Sequence, residues 1–490
     1  MSMPSSQIRV LFVTPECAPL AKVGGLGEIS AALPAALRAV SIDARVLLPG
    51  YPAVLNALGQ ARELARLQLF DPPIEVRLLE TQLATGVPLI VASSPALYAR
   101  PGGPYQDEHG EDWSDNALRF GAFSKVAAIL GSPSSPIRWR PHVVHCNDWP
   151  AALAPLYLHH APRPRVATVM TVHNLAFQGN FAPELVASLG LPLSSFSVDG
   201  LEFHGRMSFL KGGLYYSDAI TTVSPNYARE IQSEPLGFGL EGLLHFRRDV
   251  LTGILNGIDT AVWNPQTDPY LVRRYSATTL DYKSLNKAPL QRRLNLALEP
   301  DVPLLGMVSR LTHQKGIDIL LEAAERLIDL PAQLALLGTG ERRFGEAVRS
   351  LAERYPRRIA AVVGYDEALA HMFEAGIDLF LMPSRFEPCG LTQMYSQCYG
   401  TPPIAHATGG LVDTIVDFDP EAPDVPGATG FLFHQLDAAT LVSTTARAAK
   451  LYRDRDRWRA LQQNGMRRDF GWEAAVSRYA RVYRQVAQFE

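Results

Sequence analysis

The apolar run IRVLFVT (8–14), the glycine-rich turn KVGGLGE (22–28), the periodic segment ISAALPAALRAV (29–40) and the second run ARVLLPGY (44–51) decide the fold. The first run lacks the alternation of a half-solvated strand, so it reads as buried on both faces, as strands of a parallel sheet are. Residues 29–40 have helical spacing, with Pro34 the one awkward member. Strand, turn, helix and strand complete one βαβ unit.

The same alternation continues outward. Strands are expected at 142–146, 165–172, 219–223 and 250–255, with a hairpin in EVRLLETQLATGVPLIVAS that turns at Thr85 and Gly86. Periodicity weakens around Asn256, Gly257, Pro265 and Pro269, then resumes with runs at 302–309, 332–338, 359–364, 377–384 and 402–406. The expected organisation is a Rossmann-like domain over 1–255, a boundary region over 256–300, a second Rossmann-like domain over 301–471, and a closing helix within 472–490. A chain of 490 residues suits two such domains. Ligands of open α/β sheets bind outside the carboxyl ends of the strands, so the chemistry is expected there.

Composition narrows the function classes. The chain is 47% hydrophobic and 19% charged, with 46 basic against 49 acidic residues and a net charge of −3. That balance offers no general attraction for nucleic acid or anionic membrane. Cys17, Cys146, Cys389 and Cys398 form no CxxC pair and no zinc spacing, which fits a reducing, cytoplasmic setting. No charged leader precedes an apolar core at the N-terminus, and no run approaches the ~18 apolar residues of a membrane span.

Candidate chemistry sits at strand ends. Lys22, Gly24, Gly25 and Gly27 lie where a helix begins, which suits a phosphate or simply a tight turn. VSRLTHQKG (308–316) places Arg310 and Lys315 at the equivalent point of the second domain, as diphosphate ligands or as a solvated pair. TGGLVD (408–413) offers another glycine turn, and PSRFEPCGLTQ (383–393) holds Glu387 between Pro383 and Pro388. Glu387 suits sugar binding or acid/base work, or else a salt bridge with Arg385. CNDWP (146–150) and VHNLAFQGN (172–180) put Asp148, His173 and Asn174 beside Trp149 and Phe177, a mixture of polar and apolar surface that suits a carbohydrate. Taken alone, His173 reads as a structural histidine. Two DxD triplets, Asp417 to Asp419 and Asp454 to Asp456, lie in a Pro-rich loop and on a charged helix, and neither context favours a metal.

With KVGGLGE, CNDW, TVHNLAFQG, YYSDAITTVSPNYAREI, GILNGID with WNP, VSRLTHQKG, PSRFEPCGLTQ and TGGLVDT in this order, the chain resembles bacterial glycogen synthases and plant starch synthases from about residue 8 to 480. The resemblance implies a GT-B fold: two Rossmann-like doubly wound domains facing a central cleft, with a C-terminal helix (472–488) crossing back to the first. It implies a retaining glucosyltransferase that moves glucose from ADP-glucose to the non-reducing end of an α-1,4-glucan such as glycogen, without a metal or other cofactor. On the same resemblance, Lys22, Gly24 and Gly25 resemble a donor-binding loop, and Arg310 and Lys315 the diphosphate pair. Thr408, Gly409 and Gly410 resemble the distal phosphate loop, and Glu387 the essential acid, with Cys389 and Gly390 beside it. Asp148, His173 and Asn174 resemble sugar and acceptor contacts, Asn256 a further cleft contact, and Tyr105 an acceptor candidate. Two positions depart from the family pattern: Glu28 stands where Asp is usual, and Pro150 where His is common. A related retaining GT-B glucosyltransferase using UDP-glucose or a small sugar acceptor, and an inactive nucleotide- or glucan-binding protein, are the rival readings.

Overall fold

A computed structural model describes residues 7–421 and 427–487. The first six residues, part of the leader reading, and residue 488, the expected end of the closing helix, lie outside the described residues. The chain divides into two compact units: Met1–Gly257 joined by Trp472–Glu490, and Ile258–Gly471.

In the first unit, β1 (Arg9–Val13), β2 (Asp43–Pro49), β3 (Arg62–Leu69), β4 (Ile74–Gln82), β5 (Pro88–Ser93), β6 (Val143–Asn147) and β7 (Ala167–Val172) build most of one sheet. After β8 (Asn180–Phe181), β9 (Glu202–Phe203) and β10 (Arg206–Ser208), which form a small sheet of their own, β11 (Ala219–Thr222) and β12 (Leu251–Gly253) complete the large one. Among the described residues the order is β12-β11-β7-β6-β1-β2-β5-β4-β3. Pairing is parallel from β12 to β5 and antiparallel beyond. Val10 to Val13 of β1 are fully buried, as a strand covered on both faces must be. The strand order reverses beside β1, between β6 and β2, so the loops after β1 and β6 leave from a switch point. The hairpin expected at Thr85 and Gly86 joins β4 to β5. Edge strand β3 was absent from the sequence reading, because RELARLQL is largely exposed and carries no apolar run.

Helix Gly25–Ala39 runs through Pro34. The last helix, Glu473–Ala487, packs on it and on β6 and β7. Buried Tyr483 meets Nδ1 of buried His145 on β6 at 2.8 Å.

The second unit holds β13 (Leu304–Val308), β14 (Gln333–Gly338), β15 (Ile359–Val363), β16 (Leu379–Met382), β17 (Pro403–His406) and β18 (Phe431–Phe433). They pair in the order β15-β14-β13-β16-β17-β18, all parallel. This doubly wound order has its switch point between β13 and β16. Successive residues of these strands enter opposite cores: Leu305, Leu334 and Leu379 one, Leu304, Ala335 and Phe380 the other. That double burial explains the unbroken apolar runs.

Residues 258–300, read from sequence as part of a boundary region, pack within this unit. Asp268 is buried against His371 Nδ1 at 2.7 Å and Tyr399 Oη at 2.5 Å. Lys283 donates to the carbonyls of Glu374 and Ala375 and to Thr401 Oγ1. These polar anchors substitute for apolar periodicity, which is why the segment looked loose in sequence.

Candidate functional site

Loops at both switch points and at the strand ends beside them carry most of the residues singled out from the sequence. In the second unit three loops form one block. Gly316 (φ +69°) lies so close to Pro383 that a Cβ would stand 1.9 Å from its carbonyl oxygen. The Arg385 N–H donates to the Gln314 carbonyl at 2.8 Å, and Gln314 Nε2 to the Phe386 carbonyl at 3.2 Å. Gly409 (φ +48°) and Gly410 sit under the next stretch, where added Cβ atoms would stand 1.9 Å from the Glu387 carbonyl oxygen and 2.2 Å from that of Cys389. Glycine is therefore required at 316, 409 and 410 by backbone contact.

This block holds Glu387. Its Oε2 accepts from Lys315 Nζ at 2.5 Å and from Ser384 Oγ at 3.0 Å, and the residue is 6% exposed. Arg385, the partner considered from sequence, instead makes a two-point pair with Asp318 at 2.7 and 2.6 Å. The reason is direction: Arg385 leaves the loop toward helix Ile317–Asp329, whose first turn carries Asp318. Arg310 is exposed and reaches Gln314 Oε1 at 3.3 Å. Thus Arg310, Lys315, Glu387, Cys389, Gly390, Thr408, Gly409 and Gly410 belong to loops that follow β13, β16 and β17.

In the first unit the organiser is Glu16, buried to 4% exposure, which the sequence reading missed. Its Oε2 accepts the N–H groups of Val23 (2.7 Å) and Gly24 (3.0 Å), and its Oε1 the Tyr105 hydroxyl at 2.7 Å. Glu16 thereby ties Tyr105 to the glycine turn. Its signal in the sequence was an acid a few residues past the end of an apolar strand, as Glu387 is. Lys22 pairs with Glu28 at 2.6 Å, so the departure at 28 sets that lysine's contact. A Cβ on Gly24 would meet nothing within 4 Å, so packing does not demand glycine there.

Asp148 follows β6 with φ 55° and ψ −179°, a backbone region nearly confined to glycine and costing about 1–3 kcal/mol. Its Oδ1 accepts the His173 N–H at 2.7 Å. Burial, aided by the nearby charge of Glu16, pushes its carboxyl up to about 7 despite the opposing N–H groups of His173 and Asn174. Burial likewise pushes His173 down to about 3. The neutral ring meets Asn147 Oδ1 at 2.9 Å through Nε2, while Asn147 Nδ2 donates to the Val13 carbonyl. That pattern puts the proton on Nε2 and leaves Nδ1 an acceptor, buried without a partner among the described residues. Asn256, also buried, has an unpartnered Oδ1 among them. Trp149, expected to face a sugar, packs instead among Phe120, Phe181 and Phe209.

Among the described residues no group of three or more His, Cys, Asp and Glu side chains is placed to hold a metal. Of the two triplets, Asp417 pairs with Arg447 at 3.0 Å, and Asp454 caps helix Arg455–Met466. No helix of the described residues is long and apolar enough to cross a membrane.

The family model for the starch synthase catalytic domain matches residues 9–246, and that for glycosyl transferases group 1 matches residues 292–465. The chain is 55% identical to the glycogen synthase of Nitrosomonas eutropha over 99% of its own length and 98% of that protein's. It belongs to the glycogen synthase family. The glycogen synthase of Aromatoleum aromaticum is 54% identical over 98% of this chain and 97% of its own. Among solved structures, the catalytic domain of starch synthase IV from Arabidopsis thaliana, bound to ADP and acarbose, superposes with a TM-score of 0.88 at 31% identity, covering 99% of this chain and 100% of that one. Sucrose-phosphate synthase from Thermosynechococcus elongatus, at 20% identity and a TM-score of 0.60, shares the fold. The protein is therefore a glycosyltransferase of the glycogen synthase family with the GT-B fold, two α/β domains with parallel sheets.

Proposed function

We propose that this enzyme transfers glucose from ADP-glucose to the non-reducing end of an α-1,4-glucan with retention of anomeric configuration. The observation that carries the reading is the Lys315–Glu387 pair held by three interlocked loops, with Arg310 in the same loop as Lys315. In this reading Arg310 and Lys315 hold the diphosphate, and the 408–410 turn receives its distal phosphate. Charge that grows on the leaving phosphate is met by these fixed cations and N–H groups, so no metal is required. In the first unit, Lys22 and the bare backbone of Gly24 are read as donor-binding contacts. Glu387 orients the glucosyl ring, Cys389 and Gly390 shaping the loop beside it. His173 Nδ1 accepts a sugar hydroxyl, and Asp148, Asn174, Asn256 and Tyr105 line the sugar and acceptor path.

Retention then follows from displacement on one face. The bond from C1 to the phosphate oxygen breaks, the acceptor oxygen bonds C1 on the same side, and the acceptor proton passes to the departing phosphate. The fixed contact of Glu387 with Lys315 favours this over attack by Glu387 itself. Labelled glucose transfer onto glycogen, run with ADP-glucose and with UDP-glucose in the cytoplasmic pH range, tests the proposal. Transfer from ADP-glucose at the higher kcat/KM is expected. Transfer from UDP-glucose alone, or from neither, would overturn it.

A further inference from the structure

Three neighbouring parallel strands, β7, β6 and β1, deliver the loops that carry His173 and Asn174, Asp148, and Lys22. Two apolar side chains stand out from the outer loops of this row: Phe177, 52% exposed, and Val23, 49% exposed. Lone exposed apolar residues are ordinary on protein surfaces. What distinguishes Phe177 is that its loop is pinned at both ends. The Leu175 N–H donates to Tyr227 Oη at 3.1 Å, and Asn174 takes the N–H groups of Ala176 through Oδ1 at 3.1 Å and of Phe177 through its carbonyl at 3.2 Å. At the far end Gly179 (φ +60°) lies against Trp149, where a Cβ would stand 2.5 Å from the indole. An aromatic ring is thus presented to solvent on a fixed support, three residues from Asn174. Trp149, the other aromatic of these loops, is committed to packing. A glucose unit offers hydroxyls at its edge and an apolar C–H face, and an exposed aromatic ring close in the chain to the polar Asn174 can meet both.

From this we infer that Phe177 is an acceptor-binding residue that stacks on a glucose unit of the incoming α-glucan and raises affinity for the polymer. The inference rests on the proposed glucan transfer and adds the residue that recognises the chain. Stacking on an aromatic face is worth roughly a fivefold to tenfold change in affinity.

The test compares wild type with Phe177→Ala, Phe177→Leu and Phe177→Trp, using ADP-glucose and maltooligosaccharides of increasing length. Phe177→Ala and Phe177→Leu are expected to raise the acceptor KM by roughly fivefold to tenfold and leave the KM for ADP-glucose unmoved, while Phe177→Trp keeps the wild-type acceptor KM. Because the ring is exposed, thermal unfolding of the variants should match wild type, and if the Ala variant misfolds the Leu and Trp pair carries the comparison. An acceptor KM unchanged in Phe177→Ala, or in Phe177→Leu, overturns the inference while the transfer activity stands. A wild-type enzyme that moves no glucose to any glucan overturns both.

Discussion

Glu387 has one carboxylate oxygen shared between an ammonium and a hydroxyl, an arrangement that fixes its direction as well as its charge. Glu387→Gln keeps the shape and removes the charge, so turnover should fall by at least about 10²-fold while ADP, titrated calorimetrically, still binds. A mass increase of one glucosyl unit on Glu387 during turnover would show the covalent route instead. Asp148 sets a pH dependence. Its folded value of about 7 lies above the ordinary carboxylate value of about 3.9, so between these the folded protein binds more protons than the unfolded chain. Its stabilising contribution is complete below about pH 4 and is lost as pH rises through about 7. Denaturant unfolding should show Asp148→Asn flattening that decline across the interval. An unchanged slope would place the carboxyl in an ordinary, solvated setting. Among these residues Glu387, Lys315 and Asp148 were legible because each is a polar residue just past an apolar run. The role of Glu16 was not, although it bears the same local mark, since Tyr105 becomes its neighbour only after distant loops fold together.

At the scale of elements, the second unit's site is a stack of turns in which glycines let one backbone rest on another. Gly409 has a positive φ and no room for a Cβ beside the Glu387 carbonyl. Gly409→Ala should therefore lower stability by at least about 2 kcal/mol and displace Glu387, lowering kcat more than a surface substitution of similar size. Urea unfolding and steady-state kinetics on one preparation check both effects, and wild-type values for both would show that the turn tolerates a side chain. The glycine turns and the strands β13, β14, β16 and β17 were readable from local pattern. Edge strand β3 and the short β8 to β10 were not, because an exposed strand, or one of two or three residues, carries too few buried positions to mark a period.

On the scale of the whole molecule, the last helix belongs to the unit that the chain left more than two hundred residues earlier. Ending the chain after Gly471 would strip Tyr479 and Tyr483 from buried His145. Such a protein should melt at least several degrees lower, beginning with the first unit. Hydrogen exchange resolved by segment would report that order, and uniform protection would contradict it. Chelation is the second check: with cations as the charge partners, activity should survive excess EDTA, and loss restored by a divalent ion would return the aspartate triplets to consideration. The sequence by itself determined what local pattern and covalent order can carry. Unbroken apolar runs specified parallel, doubly buried strands, and the glycine turns and polar residues behind them marked the strand ends where ligands bind. Only the tertiary structure decided which of those residues meet. Lys315 and Glu387 lie seventy-two positions apart, Glu16 and Tyr105 eighty-nine, and His145 and Tyr483 three hundred and thirty-eight. Contacts at such separations depend on strand order and loop direction, and no window of neighbouring residues encodes either.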